Sequence, residues 1–207
     1  MILVWSMCPR AETLLVVGDS ISAGYGLDKL EDGWVALLGE KLKPRGIEVV
    51  NASISGDTTA GGLVRIDALL ERVRPAWVLI ELGGNDGLRG LTPAQMNANL
   101  TRMIEKARAA KARVLLLGMQ IPPNYGRRYA EMFQKVYGEV AQNTGVGLVP
   151  FLLEGVGGQN SMMQPDGIHP NRAAQPLLLD LVMKKLVTML PDKTAKGSAV
   201  ALPVTGN

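Results

Sequence analysis

Five short apolar segments alternate along the chain with segments of helical periodicity, and this alternation constrains the fold more than any other feature. Each apolar segment is short and bounded by glycine or polar residues, which is typical of a strand buried on both faces. Strands that alternate with helices form parallel sheets with helices on both sides, so the pattern predicts the α/β class. The strands are predicted at 14–18, 47–51, 77–82, 114–117 and 147–151.

Apolar residues that recur at every third or fourth position predict five helices between and after these strands. Asp57 or Thr58 is expected to cap the second helix, because short oxygen-bearing side chains accept hydrogen bonds from its first N–H groups. Pro176 indicates either an irregular first turn or a later start for the last helix. The helices are predicted near 34–42, 63–73, 96–107, 129–140 and 171–190.

The chain of 207 residues shows no internal repeat and no interior linker, which predicts one domain over residues 12–190. Residues 1–11 are apolar at first and then broken by Pro9, so they are interpreted as an N-terminal arm or a signal remnant. Residues 191–207 carry two prolines and no periodicity, which is typical of a flexible tail.

Composition excludes several classes of protein. A single cysteine forbids an internal disulfide, and one cysteine with one histidine cannot supply the roughly four ligands of structural zinc. The net charge of +3 is small and the basic residues are dispersed, so no nucleic-acid partner is expected. No apolar run approaches the roughly 20 residues of a membrane span. The phosphate-loop, dinucleotide-binding and nucleophile-elbow motifs are missing.

Small and amide-bearing residues follow each of the first four predicted strands. The carboxyl ends of parallel strands meet at one edge of the sheet, and open α/β sheets bind their ligands beyond that edge. Helices begin after most of these segments, so free backbone N–H groups are available there to an anion. The sequence therefore predicts a functional site at this edge.

The residues at this edge include every group that a serine needs to hydrolyse an ester. Ser20 follows the first strand as the candidate nucleophile, and His169, the single histidine, is the only candidate base. Asp166 stands three residues before it, close enough to accept the Nδ1–H of the imidazole. The N–H groups of Ser20 and Gly56 and the side-chain amide of Asn85 are candidate donors to the oxyanion.

The sequence blocks around these residues resemble those of the SGNH, or GDSL, hydrolases. The blocks read GDSIS at 18–22, GD at 56–57, GGND at 83–86 and DGIHP at 166–170, in that order. Within the family the chain is similar to the bacterial thioesterase I, lysophospholipase and arylesterase group, particularly at NASISGDTTAGG (51–62) and PNYGRRY (123–129). The resemblance extends over about 12–190.

The resemblance implies a three-layer α/β/α, flavodoxin-like fold with a five-stranded parallel sheet. It implies Ser20 as nucleophile, His169 as base and Asp166 as its orienting group, with Ser20, Gly56 and Asn85 as the oxyanion hole. It also implies hydrolysis of small-molecule acyl esters and thioesters through an acyl-enzyme, with no metal or cofactor. Members of the group are normally exported, so a periplasmic or secreted protein is expected, and we expect a monomer.

Two other interpretations stay open. Asp19 and Asp86, each at a strand end, are candidates for a Mg²⁺ or phosphate site in a non-catalytic flavodoxin-like module, although bonds to loop N–H groups are the favoured interpretation. The second is a carbohydrate esterase of the same family, which removes acetyl groups from sugars. Glu81 lies inside an apolar strand and needs a partner, so a structural pair is predicted for it.

The acyl pocket is predicted near the glycine-rich loop that precedes the histidine. Leu152 and Met162 are the candidate substrate-binding residues, with Leu153 and Met163 beside them. Methionine adapts its shape to irregular apolar surfaces, which suits an acyl chain. The alternative is that these side chains belong to the core.

Overall fold

The protein is built on a sheet of five parallel strands in the order β2-β1-β3-β4-β5. The computed structural model describes residues 12–191, so the predicted arm and all but the first residue of the predicted tail lie outside the described residues. This strand order is that of flavodoxin-like folds. The strands are β1 (Glu12–Gly18), β2 (Ile47–Asn51), β3 (Trp77–Glu81), β4 (Arg113–Leu117) and β5 (Gly147–Val149).

Helices cover both faces of the sheet. They are α1 (Ser20–Ala23), α2 (Trp34–Leu42), α3 (Thr59–Val73), α4 (Gly84–Leu88), α5 (Pro93–Ala109), α6 (Arg127–Thr144) and α7 (Gln175–Leu186). Helices α3, α5 and α6 pack side by side on one face, while α2 and α7 pack together on the other. The predicted three-layer α/β/α fold is therefore confirmed. Between residues 12 and 191, no helix combines the length and apolar composition needed to cross a membrane.

The core lies on both faces of the sheet because the central strands are apolar along nearly their whole length. The side chains of β1 from Leu14 to Val17 are fully buried, and every residue of β3 is buried. The register aligns Gly18 with Glu81, the last residues of β1 and β3. The segments that follow these two strands are therefore neighbours at the carboxyl edge of the sheet.

Helix starts follow the local sequence signals. Thr58 caps α3 by accepting a hydrogen bond from Gly61 N–H at 3.3 Å, which decides between the two predicted caps. The last helix has the irregular start that Pro176 indicated. A 3₁₀ turn (Arg172–Ala174) precedes α7, and Pro176 lies in the first turn of α7, where a missing N–H costs no hydrogen bond.

Several predicted boundaries are wrong. β5 occupies the first three residues of the predicted 147–151 segment and ends at Val149, because Pro150 has no N–H with which to continue the ladder. The last helix ends at Leu186 rather than at residue 190 and is followed by a 3₁₀ turn (Val187–Met189). The sequence analysis also missed α1 and α4, which are too short to show a helical period. Both begin just beyond strand ends that carry candidate site residues.

Candidate active site

Ser20 is the first residue of α1, two residues beyond the end of β1. Asp19 caps this short helix, and its Oδ1 accepts a hydrogen bond from Ile21 N–H at 3.1 Å. Gly18 leaves room for the turn, since a Cβ there would lie 2.7 Å from Ser22 and 2.8 Å from Glu81 Oε2. The turn therefore places the Ser20 hydroxyl at the sheet edge, beside the free N–H groups of a helix start.

His169 connects Ser20 to Asp166. Its Nε2 lies 2.9 Å from Ser20 Oγ, and its Nδ1 lies 2.6 Å from Asp166 Oδ2. With a proton on Nδ1, the imidazole donates to Asp166 and leaves Nε2 free to accept the serine proton. The structure thus brings together the three side chains that the sequence analysis singled out, across a separation of 149 residues.

The turn that carries His169 is built around the Asp166 carboxylate. Asp166 Oδ1 accepts hydrogen bonds from the N–H groups of Ile168 at 2.9 Å and His169 at 3.0 Å. The backbone bond from His169, followed by the bond from its imidazole, lowers the pKa of Asp166 to about 2. Asp166 is therefore an ionised acceptor at neutral pH, and it fixes both the backbone and the ring of His169.

Ser20 and Asn85, two of the three candidate oxyanion donors, line the same cavity as His169. Asn85 lies in α4, and its Nδ2 donates to Asp19 Oδ2 at 3.0 Å. This bond fixes the orientation of the amide, and the second N–H of Nδ2 is left for a ligand. The Ser20 N–H has no helical partner because it belongs to the first turn of α1.

Gly56, the third candidate donor, lies in the loop after β2 and is not part of the cavity wall. Its φ of +80° falls in the left-handed region, which favours glycine. Ile54 N–H donates to Gly18 O at 3.0 Å, so this loop passes beside the start of the Ser20 turn. Arg89, which follows α4, donates to Gly56 O at 2.8 Å. These contacts link the loop to the segments that carry Ser20 and Asn85.

Arg65, in α3, holds the same loop and was missed by the sequence analysis. Its Nε donates to Asp57 Oδ2 at 2.8 Å, and its Nη1 donates to Ala52 O. Its Nη2 lies 3.4 Å from Gly18 O. One arginine therefore joins both ends of the 52–57 loop to the last residue of β1. Nothing in the local sequence marks this role, because most of its partners are distant backbone carbonyls.

The acidic residues Asp19 and Asp86 bond backbone N–H groups, as predicted, but these N–H groups belong to the first turns of α1 and α3 rather than to loops. Asp19 accepts from Ile21 N–H, while Asp86 Oδ2 accepts from Thr59 N–H at 2.9 Å and its Oδ1 accepts from the Thr59 hydroxyl. Burial raises the pKa of both carboxyls, that of Asp19 to about 6. In the described part of the chain, no three His, Cys, Asp or Glu side chains gather where they could hold a metal ion.

Glu81 is completely buried at the end of β3. Its Oε2 accepts hydrogen bonds from the Ser22 hydroxyl at 2.7 Å and from Asp19 N–H at 3.2 Å. Burial, and then the neighbouring Asp19 carboxyl, raise the pKa of Glu81 well above its usual range. The predicted structural partner of Glu81 is therefore the Ser20 turn itself rather than a cation.

An apolar cavity of about 520 Å³ opens beside Ser20, Asn85 and His169. This volume lies within the range of small-molecule pockets, about 300–1,000 Å³. Apart from these three residues, much of the wall is formed by Leu88, Met119, Ile121, Phe151, Leu153 and Met163. The arrangement fits a substrate with one reacting polar group and an apolar chain.

Each candidate substrate-binding residue lies one position before, in the sequence, a residue that lines the cavity. Leu152 is fully buried in the core, and Met162 packs against the core. Their neighbours Leu153 and Met163 line the cavity instead. Both pairs lie in turn segments without periodicity, so the sequence did not indicate which of two adjacent side chains faces inward.

Tyr25 packs against the His169 imidazole, does not line the cavity and was also missed. The ring centroids of Tyr25 and His169 are 4.6 Å apart, with an angle of 41° between the planes. Gln164 Nε2 donates to Tyr25 O at 2.7 Å and so ties this segment to the turn that carries His169. Tyr25 therefore restricts the motion of the imidazole on its solvent side.

A hydrogen-bonded serine, histidine and aspartate, next to N–H donors and an apolar cavity, define a serine hydrolase on a three-layer α/β/α fold. The family model described as "GDSL-like Lipase/Acylhydrolase family" matches residues 16–176. The chain belongs to this family and is an ester hydrolase, which confirms the sequence-based prediction of its class.

Curated relatives and solved structures agree with this assignment. The chain is 62% identical to "Esterase TesA" of Pseudomonas aeruginosa over 182 residues, which are 87% of this chain and 90% of the relative. It is 47% identical to "Thioesterase 1/protease 1/lysophospholipase L1" of Escherichia coli (strain K12) over 186 residues, 90% of this chain and 88% of that one. The crystal structure of the psychrotrophic esterase EstA from Pseudoalteromonas, inhibited by monoethylphosphonate, matches with a TM-score of 0.82 and 44% identity, covering 87% of this chain and all of EstA.

Proposed function

We propose that this protein hydrolyses carboxylic esters and acyl thioesters through an acyl-enzyme formed on Ser20. The observation that carries the proposal is the continuous series of hydrogen bonds from Ser20 through His169 to Asp166 at the mouth of an apolar cavity. An unassisted serine hydroxyl is a weak nucleophile at neutral pH, and an adjacent imidazole activates it by accepting its proton.

Acylation begins when His169 Nε2 takes the Ser20 proton while Oγ attacks the acyl carbonyl carbon. The ionised Asp166 stabilises the imidazolium that forms. His169 then transfers the proton to the departing alcohol or thiol as the carbon–oxygen or carbon–sulfur bond breaks. Deacylation repeats the sequence with water as the nucleophile, and it releases the carboxylic acid and free Ser20.

The carbonyl oxygen becomes negative in each tetrahedral intermediate and needs hydrogen-bond donors that are already in place. Ser20 and Asn85 line the cavity, and the Ser20 N–H and the second N–H of the Asn85 amide are the first two donors in this proposal. The Gly56 N–H is the third, supported by the hydrogen bonds that hold its loop against Gly18 and Arg89.

The acyl chain of the substrate enters the apolar end of the cavity, where Leu153 and Met163 are in contact with it. The hydroxyl groups of an acetylated sugar would lose their hydrogen bonds to water if they were buried against this apolar wall. The acetyl group of such a substrate would also leave most of the cavity empty. Long-chain esters, thioesters and lysophospholipids therefore fit better than acetylated sugars. The names of the relatives, which include thioesterase and lysophospholipase, support the same range.

Labelling with a phosphonate ester tests the proposal directly. The wild-type protein should lose ester hydrolysis as one phosphonyl group becomes attached to Ser20. Ser20→Ala should have neither activity nor label, whereas Ser161→Ala, which changes an exposed serine, should behave as wild type. Full turnover by Ser20→Ala would contradict the mechanism.

The acyl preference is tested with p-nitrophenyl esters of increasing chain length and with acetylated sugars. We expect kcat/KM to rise from the acetyl ester to longer chains and deacetylation of sugars to be slow. A preference for acetylated sugars over every longer acyl ester would favour the carbohydrate esterase instead.

We also propose that the protein is periplasmic or secreted and that it is a monomer. It is supported by the apolar residues at the start of the sequence and by the resemblance to an exported group. Fractionation of cells that produce the protein should place its esterase activity outside the cytoplasm, and light scattering should give a mass near 22.1 kDa. Esterase activity in the cytoplasm would overturn the proposed location, and a stable dimer would overturn the proposed monomer.

A further inference from the structure

Two carboxyl groups lie buried together directly beneath the Ser20 turn. The side chain of Glu81 is 0% exposed and that of Asp19 is 2% exposed. The ion pairs found within residues 12–191 include neither of them. Two neighbouring carboxylates that lack a cation are strongly destabilised by burial and by mutual repulsion, so one of them must hold a proton.

The hydrogen bonds indicate which oxygen carries this proton. Glu81 Oε2 already accepts from Asp19 N–H and from the Ser22 hydroxyl, whereas Glu81 Oε1 is buried with no hydrogen-bond partner among the described residues. Each oxygen of Asp19 accepts one bond, from Ile21 N–H and from Asn85. A carboxylate oxygen can accept two, so Asp19 is able to receive a bond from a protonated Oε1.

We propose that Glu81 is a neutral acid in the working enzyme and that it donates a hydrogen bond to the Asp19 carboxylate. This hydrogen-bonded pair positions the Ser20 turn and the Asn85 amide. Glu81 is a positioning residue, because it reaches the reacting atoms only through Asp19 and Ser22. Its effect on catalysis rests on the proposed function, but its protonation does not.

In this proposal the pair carries a single negative charge, located on Asp19, which accepts hydrogen bonds from both Asn85 and Glu81. An anionic Asp19 requires an N–H donor from Asn85, so the Asn85 amide cannot turn its oxygen toward the substrate. An ionised Glu81 would repel Asp19 and add a second negative charge close to the developing oxyanion. The neutral acid avoids that charge while it keeps its hydrogen bonds to the segment on both sides of Ser20.

No other charged or titratable group near the pair forms an ion pair with Glu81 or Asp19 among the described residues, so none removes the need for this proton. Tyr137 of α6 donates its hydroxyl to Leu82 O at 3.0 Å, and Arg65 of α3 is paired with Asp57 at 2.8 Å. His169 of the catalytic turn acts on Asp19 only through space. Tyr137 (α6) and His169 are the groups that interact electrostatically with the pair. Asp86 (α4) lies near Tyr137, and Arg65 (α3) approaches the backbone carbonyl of Gly18.

Two substitutions of similar size separate protonation from simple filling of space. In Glu81→Gln the amide N–H₂ donates where the protonated oxygen donated, and the amide oxygen accepts from Ser22 and Asp19. In Glu81→Leu the volume is kept and both functions are lost. Glu81→Gln should keep most of the kcat, whereas Glu81→Leu should lower kcat by about 10²-fold, comparable to the loss of an oxyanion donor, with a smaller change in KM. Equal loss in both variants, or none in either, would overturn the positioning role.

Infrared difference spectroscopy tests the proton itself, without substrate and without the leucine variant. The wild-type minus Glu81→Gln spectrum at neutral pH should contain the carbonyl absorption of a protonated carboxylic acid. The matched control, Glu48→Gln, changes an exposed glutamate on β2 and should not remove that absorption. If only carboxylate bands are lost in Glu81→Gln, the inference is wrong. A protein that shows the acid band but hydrolyses no ester would support protonation and contradict the proposed function.

Discussion

Asp166 controls His169 through three hydrogen bonds, two from backbone N–H groups and one from the imidazole. Asp166→Asn keeps the shape but favours the wrong imidazole tautomer, a change that lowers kcat about 10⁴-fold in a serine protease. We expect a fall of smaller size, because the Asp166 side chain is 39% exposed and water can partly orient the ring. The measurement is kcat on a p-nitrophenyl ester, with Asp180→Asn on α7 as the control. Equal kcat values for Asp166→Asn and wild type would exclude this role.

Asn85 is expected to act on the transition state rather than on folding. Asn85→Ala should lower kcat by about 10²–10³-fold with a smaller effect on KM, because the lost hydrogen bond strengthens as the oxyanion forms. Asn85→Asp should be at least as harmful, since its charge repels the oxyanion. Melting temperature and kcat should be measured on the same sample. A destabilised variant with normal kcat would make Asn85 a turn residue only.

At the scale of elements, the loop between β2 and α3 depends on Arg65. Arg65→Met keeps the aliphatic stem but removes the bonds to Asp57 and Ala52, so the loop that carries Gly56 should become less ordered. We expect a lower kcat and a somewhat lower melting temperature, with partial recovery in Arg65→Lys, which can keep the ion pair. Arg72→Met changes an exposed arginine of the same helix as the control. An unchanged kcat in Arg65→Met would show that the loop needs no such support.

The elements that the sequence predicted well are those whose residues form a continuous apolar run. β1 and β3 are apolar along nearly their whole length because helices cover both their faces, and such runs are visible without a structure. The hydrogen-bonded serine, histidine and aspartate were predicted together because a single histidine leaves no choice of base. Arg65 and Tyr25 were missed because they act through contacts with distant segments. Leu152 and Met162 were misplaced because turns have no period that distinguishes one side from the other.

For the whole molecule, the sheet register makes separate sequence blocks into one site. Gly18 and Glu81 end neighbouring strands, so the Ser20 turn and the Asn85 helix start side by side, and the His169 turn closes over them. In the proposed mechanism, every catalytic role belongs to a side chain or a backbone N–H group. Ester hydrolysis should therefore survive prolonged dialysis against EDTA, measured as kcat before and after. Lost activity that Mg²⁺ or Mn²⁺ restores would favour an acidic metal cluster.

The pH dependence of stability should carry the signature of the buried pair. Burial and the adjacent Asp19 carboxyl raise the pKa of Glu81, so between its ordinary value of about 4.3 and the raised value the folded state retains a proton that the unfolded chain has lost. The free energy of unfolding then falls as pH rises through this window, by about 1.4 kcal/mol per pH unit for one proton.

Glu81→Gln removes this proton and leaves Asp19, Tyr137 and His169 in place, together with the more distant Asp86 and Arg65. The unfolding free energy of wild type minus that of Glu81→Gln should therefore decline steadily from pH 5 to pH 7, at about the one-proton slope. Denaturant titrations at several pH values measure this difference, and Glu48→Gln serves again as the exposed control. Parallel curves for wild type and Glu81→Gln would mean that Glu81 is ionised in the fold. The neutral acid beneath Ser20 would then have to be abandoned.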